Sequence, residues 1–335
     1  EARTNLLTYS SEFDNAAWGL VQASVTANAT LSPDGTLTAD KVVPNTSYLF
    51  SHGVYKLGIT STIGNDYVAS VYAKAGGYDA LSLQVNIANV GVAFDLSLGT
   101  VISETAGYTG AIEAVGDGWY RCSVIAAATN TGYDIRLYVG PASSAGTTGQ
   151  FFSFTGDGTS GIYVWGAQLE QASAASSYIP TTTAAVTRNA DVLSYDTANW
   201  FADGQAGTMQ VDADLTYATL SGNRFIASLY GTPPERIQMA MINNQARLFL
   251  GAGGVLANYS SLGTKAKGGS VRGSIGWDLN NVGSTIDTYS GVLVDTSSAI
   301  PTGINKLVVG HYDGGGGDYY HNGCVLNIIY YQKRL

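Results

Sequence analysis

The sequence predicts an all-β protein built as two consecutive antiparallel β-sandwich domains. Three observations carry that prediction. The chain has 335 residues, enough for two ordinary domains of about 150 residues, and 45% of it is hydrophobic, so each half can bury a core. Only 12% is charged, whereas Gly (42) and Tyr (22) are abundant. Gly supplies positive φ at tight turns and Tyr suits a pleated, half-exposed surface, while helices draw on Glu, Lys, Leu and Arg. Finally, short runs of period-two alternation recur between glycine-rich turns, and no segment keeps a period of 3.6.

In the first half the runs are Tyr67 to Lys74, Leu81 to Ala88, Trp119 to Ala126, Ile135 to Gly140 and Ile162 to Leu169. Turns such as Gly76-Gly77, Gly116-Asp117-Gly118 and Gly156-Asp157-Gly158 separate them. The stretch from Ala172 to Ala190 is small, polar and turn-prone, and Pro180 cannot sit inside a paired central strand. The first domain is therefore expected over residues 1–178, a linker over 179–190, and the second domain over 191–335. The linker should dock on the first domain through Tyr178 and Ile179. Beyond it, strands are expected at Thr208 to Tyr217, Arg224 to Tyr230, Arg236 to Ile242, Arg247 to Leu250 and Val271 to Asp278. Three more follow at Ser284 to Tyr289, Lys306 to Val309 and Gly323 to Tyr331.

Alternation also assigns side chains to faces. Leu81, Leu83, Val85 and Ile87 point one way, with Ser82, Gln84 and Asn86 opposite. Ile135, Leu137 and Val139 form a core face, with Asp134, Arg136 and Tyr138 on the other. Trp119, Arg121 and Ser123 oppose Tyr120, Cys122 and Val124, and Tyr48, Phe50 and His52 share a side. The non-core faces thus carry amide, guanidinium and aromatic groups. That is either the wet face of any antiparallel sheet, or a surface where planar polar groups bond sugar hydroxyls and rings stack on pyranoses. His52, Gln84, Asn86, Trp119, Arg121, Arg136 and Tyr138 are the glycan-binding candidates, and His311, Tyr319 and His321 are candidates in the second half.

A net charge of −9 without a Lys/Arg cluster argues against nucleic acid and anionic membranes as partners. No apolar run approaches the roughly 20 residues of a membrane span, so membrane insertion is not expected. The first residues do not read as a secretory signal, so a leader was removed or secretion takes another route. Cys122 and Cys324 fall in different halves and are expected as free, buried thiols.

The opening Ala2 to Trp18 (ARTNLLTYSSEFDNAAW), Tyr67 to Ala75, Gly118 to Cys122, Gly161 to Glu170 (GIYVWGAQLE) and Ser177 to Thr181 (SYIPT) resemble a module of bacteriophage tail-fibre, tailspike and related virion-surface proteins. That module is similar to carbohydrate-binding-module jelly rolls, and the match spans about residues 2–188. Gly207 to Val211, Lys306 to Gly310 and Asn322 to Leu335 resemble a concanavalin A-like (laminin-G or pentraxin-like) sandwich over about residues 191–335. The resemblance implies a virion-surface or extracellular adhesin that recognises bacterial surface polysaccharide beside other fibre or spike proteins, often within a homotrimer. It also implies a structural Ca²⁺ where N-terminal and last-strand carboxylates meet, here Glu12, Asp14, Asp40 and Glu170.

Catalytic patterns compete with that reading. Glu stands only at Glu1, Glu12, Glu104, Glu113, Glu170 and Glu235, which excludes the alternating carboxylates of a glycoside hydrolase strand. Asp212 and Asp214 share a face but read as a solvated edge or cation site. A lyase acting on an acidic glycan would need a Tyr or one of three His as base. Tyr72 to Tyr78 has a faint likeness to an alginate-lyase strand, without that family's companion motifs. The run Asp313 to Asp318 lacks the Lys-Ser/Thr of a phosphate loop. Three functions stand: a non-catalytic glycan-binding module, a polysaccharide lyase, and a structural fibre spacer.

Overall fold

Period-two alternation resolves into packed layers in both halves. The computed structural model describes residues 2–49, 51–86, 90–150, 153–189, 193–215, 223–232, 235–242, 245–253, 255–264, 269–286, 299–310, 325–333 and 335. It divides into two compact units, Ala2–Arg188 and Asn189–Leu335. Among the described residues the sole helical element is a 3₁₀ turn at Ala142–Ser144.

The first unit opens with β1 (Arg3–Asn5), β2 (Gly19–Val21), β3 (Ala23–Thr30), β4 (Ala39–Pro44), β5 (Tyr48–Leu49) and β6 (Gly53–Thr60). Then come β7 (Asp66–Gly76), β8 (Ala80–Asn86), β9 (Gly91–Asp95), β10 (Thr100–Glu104) and β11 (Thr109–Gly116). It closes with β12 (Trp119–Ala127), β13 (Gly132–Gly140), β14 (Phe154–Thr155), β15 (Gly161–Glu170) and β16 (Val186–Arg188). Sheet I has the order β10-β9-β8-β13-β6-β2, and sheet II the order β11-β12-β7-β15-β4-β3. All their pairings are antiparallel. The chain crosses between the layers at β6, β7 and β8 and again at β12, β13 and β15, a jelly-roll type of connectivity.

Between the sheets lie the inward phases that alternation assigned. Leu81, Leu83, Val85, Ile135, Leu137 and Val139 of sheet I meet Val71, Cys122, Val124, Ile162 and Val164 of sheet II. Each such aliphatic side chain, fully buried, stabilises the fold by about 1.5–3 kcal/mol. Cys122 is a free thiol in this core, and burial pushes its ionisation far above the ordinary range; Cys324 lies outside the described residues.

The unit is tied shut by its own ends. Arg3–Asn5 pairs with Val186–Arg188. Fully buried Asn5 donates its amide to the carbonyls of Ala167 (3.1 Å) and Ile179 (2.9 Å), and its Oδ1 accepts from the Leu7 and Leu169 N–H groups (both 3.1 Å). The stretch expected as a linker is thus bound into the first unit as far as Arg188. Tyr178 and Ile179 do dock: Ile179 is 3% exposed, and the Tyr178 ring sits 4.6 Å from that of Trp165.

The second unit holds β17 (Leu193–Asp196), β18 (Gly207–Asp214), β19 (Asn223–Tyr230), β20 (Arg236–Ile242) and β21 (Gln245–Ala252). After them come β22 (Val255–Thr264), β23 (Ser270–Asp278), β24 (Asn281–Ile286), β25 (Lys306–Val309) and β26 (Val325–Tyr331). Sheet III runs β17-β25-β19-β20-β21-β22 and sheet IV runs β24-β23-β18-β26. Met209, Val211, Leu229, Met239, Leu248 and Ile275 fill the space between them around Trp277. Trp277 needs Gly207: a Cβ there would lie 2.5 Å from its ring. Both units are antiparallel β-sandwiches.

Candidate functional site

The predicted glycan-binding residues share faces as the alternation assigned, but the faces are not open. On sheet I, Arg136 lies opposite Gln84, and Asp134 opposite Asn86. Gln84 is 0% and Asn86 1% exposed, so the face expected to be wet is covered. The physical reason is a roof. Residues 142–149 run over this sheet: the Ser82 hydroxyl donates to Gly149 O, the Thr105 hydroxyl to Thr148 O (2.8 Å), and Gly149 N–H to the Ser103 hydroxyl (3.1 Å). Ala142, Ala145 and Phe154 pack against Tyr138, whose phenol is raised mainly by burial. Asn86 stitches its strand to the turn between β12 and β13, donating to Ala127 O (3.1 Å) and accepting from Thr129. Arg136 pairs with Asp134 at 2.7 Å. His52 is fully buried, its Nδ1 2.9 Å from Gln22 O and its Nε2 3.1 Å from Leu49 O. Two backbone carbonyls leave neither nitrogen to a sugar or to a substrate proton.

Trp119 and Arg121 lie apart from these, on the outer face of sheet II. They meet Tyr72, Trp165 and Tyr178, aromatics that stand on the outward phase of β7 and β15 or in the docked tail. The indoles of Trp119 and Trp165 donate to Leu31 O (3.2 Å) and the Thr38 hydroxyl (3.1 Å), so the loop between them is tied over both rings. Within that loop the Ser32 and Thr36 hydroxyls hold the Asp34 carboxyl below its usual range. Arg121 stacks 5.4 Å over Tyr72 and donates to Ser70 Oγ (3.0 Å) and Ser176 O (2.6 Å). The cluster fastens a loop and a tail to the sheet. It is architecture, not an open site.

The four carboxylates expected around calcium do not converge. Asp40 accepts the N–H groups of Phe13 (2.7 Å) and Asn28 (2.9 Å), with only the Asp14 carboxylate adding its field. Glu170 is 1% exposed and accepts from Ser176 N (2.9 Å), Ser176 Oγ (2.6 Å) and Gln168 Nε2 (2.8 Å). Among the described residues no three His, Cys, Asp or Glu side chains gather as metal ligands. The set does not fit one ion, because the oxygens of Asp40 and Glu170 already serve protein donors. Asp212 is held by Arg272 in a two-pronged pair (2.7 and 3.0 Å). His311, Tyr319 and His321, with the Asp313–Asp318 run, lie outside the described residues.

A further concavity is one that sequence reasoning missed. In the second unit a groove of about 630 Å³ is lined by Tyr195, Asp196, Trp200, Leu307, Ile328 and Tyr330. It lies along one side of the sandwich, where β17 edges sheet III and β26 edges sheet IV. Asp196 Oδ1 accepts the Ala198 N–H (2.8 Å), starting a tight turn in which Trp200 and Phe201 N–H bond back to Thr197 O (3.2 and 3.0 Å). That turn swings Trp200 over the opening, and its indole donates to Asp196 O (2.7 Å), fixing the ring. Tyr330 stacks on Trp277 at 6.2 Å and meets Trp200 edge-on at 5.9 Å. Its hydroxyl accepts the Ala202 N–H (3.2 Å), and burial raises its phenol, so the O–H stays a donor. Tyr195 is 52% exposed. The groove therefore offers ring faces, the Asp196 carboxylate as acceptor and the phenols of Tyr195 and Tyr330.

No family model matches this chain, and no curated protein matches it. Solved structures that it resembles include mouse laminin alpha1 chain domains LG4-5, at 10% identity and TM-score 0.32, over 87% of this chain and 91% of that one. The LG1-3 region of the laminin alpha2 chain matches at 10% identity and TM-score 0.34, over 84% of this chain and 65% of that one. The N-terminal CBM22-1-CBM22-2 tandem domain from Paenibacillus barcinonensis Xyn10C matches at 9% identity and TM-score 0.30, over 98% of both chains.

Proposed function

We propose that this chain is a non-catalytic glycan-binding module that attaches a phage-like fibre or spike to a polysaccharide on a bacterial surface. The observation that carries the glycan reading is the groove of Tyr195, Trp200 and Tyr330 beside Asp196. Its volume falls within the roughly 300–1,000 Å³ of ligand sites, and apolar walls with a few placed polar groups are the usual build. A pyranose presents one C–H face to an aromatic ring and its hydroxyls to the rim, and this groove has a surface for each. The fibre or spike setting is supported by the motif resemblance of residues 2–188.

The test is affinity electrophoresis of the full chain through gels containing bacterial capsular and uronate polysaccharides, with ultraviolet absorbance followed for new unsaturated ends. Retardation by at least one polysaccharide without absorbance is expected. Trp200→Ala should weaken it tenfold or more, a loss of ~1.4 kcal/mol, in line with the role of Trp as a binding hot spot. Equal retardation of wild type and variant would remove the groove from the function. Rising absorbance would replace the binding module by a lyase.

A further inference from the structure

The first unit holds a smaller hollow of a different kind, about 360 Å³, between β1, the chain just after β6 and the end of β15. Its lining includes Arg3, Thr4, Thr60, Thr62, Tyr67 and Gln171. Ring faces are not on offer: Tyr67 is 2% exposed and contributes its hydroxyl. That hydroxyl accepts the Thr62 N–H (3.0 Å) and donates to Gln171 Oε1 (3.1 Å), which fixes the amide. Among the described residues the Gln171 Nε2 and the Thr60 and Thr62 hydroxyls have no protein partner, and all three residues are exposed. The Thr4 hydroxyl is bonded to that of Thr187 (2.9 Å), and Arg3 reaches Ala174 O (3.4 Å).

These groups select a ligand class. Among the described residues no carboxylate, imidazole or thiol lines the hollow, so they offer a metal ion no strong ligand and a substrate no thiolate or imidazole nucleophile. The available amide hydrogens donate, and the two hydroxyls both donate and accept. A sugar hydroxyl has the same dual character. The volume sits near the lower bound of ligand sites, about 300 Å³, room for a single ring but not for a polymer strand. We propose that this hollow binds one terminal sugar residue. The chain then reads a glycan end on its first sandwich, in addition to gripping glycan in the groove of its second. The choice of a sugar rests on the glycan reading above, while the site itself stands on its own lining.

The experiment is saturation-transfer NMR on the full chain with the methyl glycosides of glucose, galactose, mannose, N-acetylglucosamine and glucuronate as probes. At least one should receive saturation. Gln171→Ala and Thr62→Val should each weaken that glycoside at least fivefold, while polysaccharide retardation stays as in wild type. Thr62→Val keeps the backbone N–H that Tyr67 uses and changes an exposed side chain, so its fold is preserved. A glycoside whose signal survives both substitutions but vanishes in Trp200→Ala belongs to the groove, which overturns the hollow and leaves the groove intact. Silence from all five glycosides also overturns the hollow, even where polysaccharide is still retarded.

Discussion

Asp40 shows what single residues decide here. Buried to 2% exposure, it is raised above the ordinary carboxylate range by desolvation, with the Asp14 carboxylate adding to the shift and the N–H groups of Asn28 and Phe13 opposing it. A folded-state pKa above the unfolded one means the folded chain holds that proton to higher pH. The contribution of Asp40 to stability therefore falls as pH rises through that window. Removing the repulsion should show the same sign. Asp14→Asn is expected to raise stability at neutral pH by ~0.2–1 kcal/mol, as for other surface charge pairs, and to change nothing once both groups are protonated. Thermal melts at neutral pH and below the carboxylate range check this; equal melting at neutral pH would mean the two charges do not interact. At this scale the sequence showed which way side chains point, not whether water reaches them. Gln84 and Arg136 stand side by side on the predicted face, yet the covering chain is the segment 142–149 that follows β13 and folds back over the sheet, and no local pattern shows that return.

Strand β15 shows how an element can carry a site's architecture. Its register against β7 shifts between Trp165 and Gln168, and Gly166 at the shift has φ +64°. A Cβ there would stand 3.1 Å from the Tyr72 ring and 3.4 Å from that of Tyr178. Gly166→Ala should cost ~1–2 kcal/mol from the left-handed backbone alone and alter the near-ultraviolet circular dichroism of the Tyr72–Trp165–Tyr178 cluster. An unchanged spectrum would mean that the tail does not rest on this bulge. Elements with one apolar phase, such as β7, β8, β12, β13 and β15, were legible because one face meets the core. By contrast β9 (GVAFD) is buried throughout and β11 (TGAIEAVG) is mostly small and exposed, so neither alternates clearly. The groove was illegible for a related reason. Tyr195 sits on an edge strand, Trp200 in a turn and Tyr330 on the last strand, and only the topology brings them together.

At the scale of the whole chain, composition located two sandwiches, but the limit of the first depends on long-range pairing that composition does not encode. The small, polar stretch after Ala172 reads as a linker, and a first domain ending at residue 178 follows from it. In the folded chain Tyr9 N–H bonds Thr182 O (2.7 Å), Ser10 N–H bonds Thr181 O (3.2 Å), and Arg3–Asn5 pairs with Val186–Arg188. Cutting after residue 178 would remove the buried Ile179 side chain, worth ~1.5–3 kcal/mol. It would also strip one acceptor from the fully buried Asn5 amide, a further ~1–3 kcal/mol. Together these approach the ~5–15 kcal/mol that holds a typical domain folded. A fragment of residues 2–188 should therefore unfold in urea as one cooperative unit, and a fragment of residues 2–178 at a markedly lower midpoint. Equal midpoints would mean that the tail merely lies on the first sandwich and that its boundary is where composition alone would draw it.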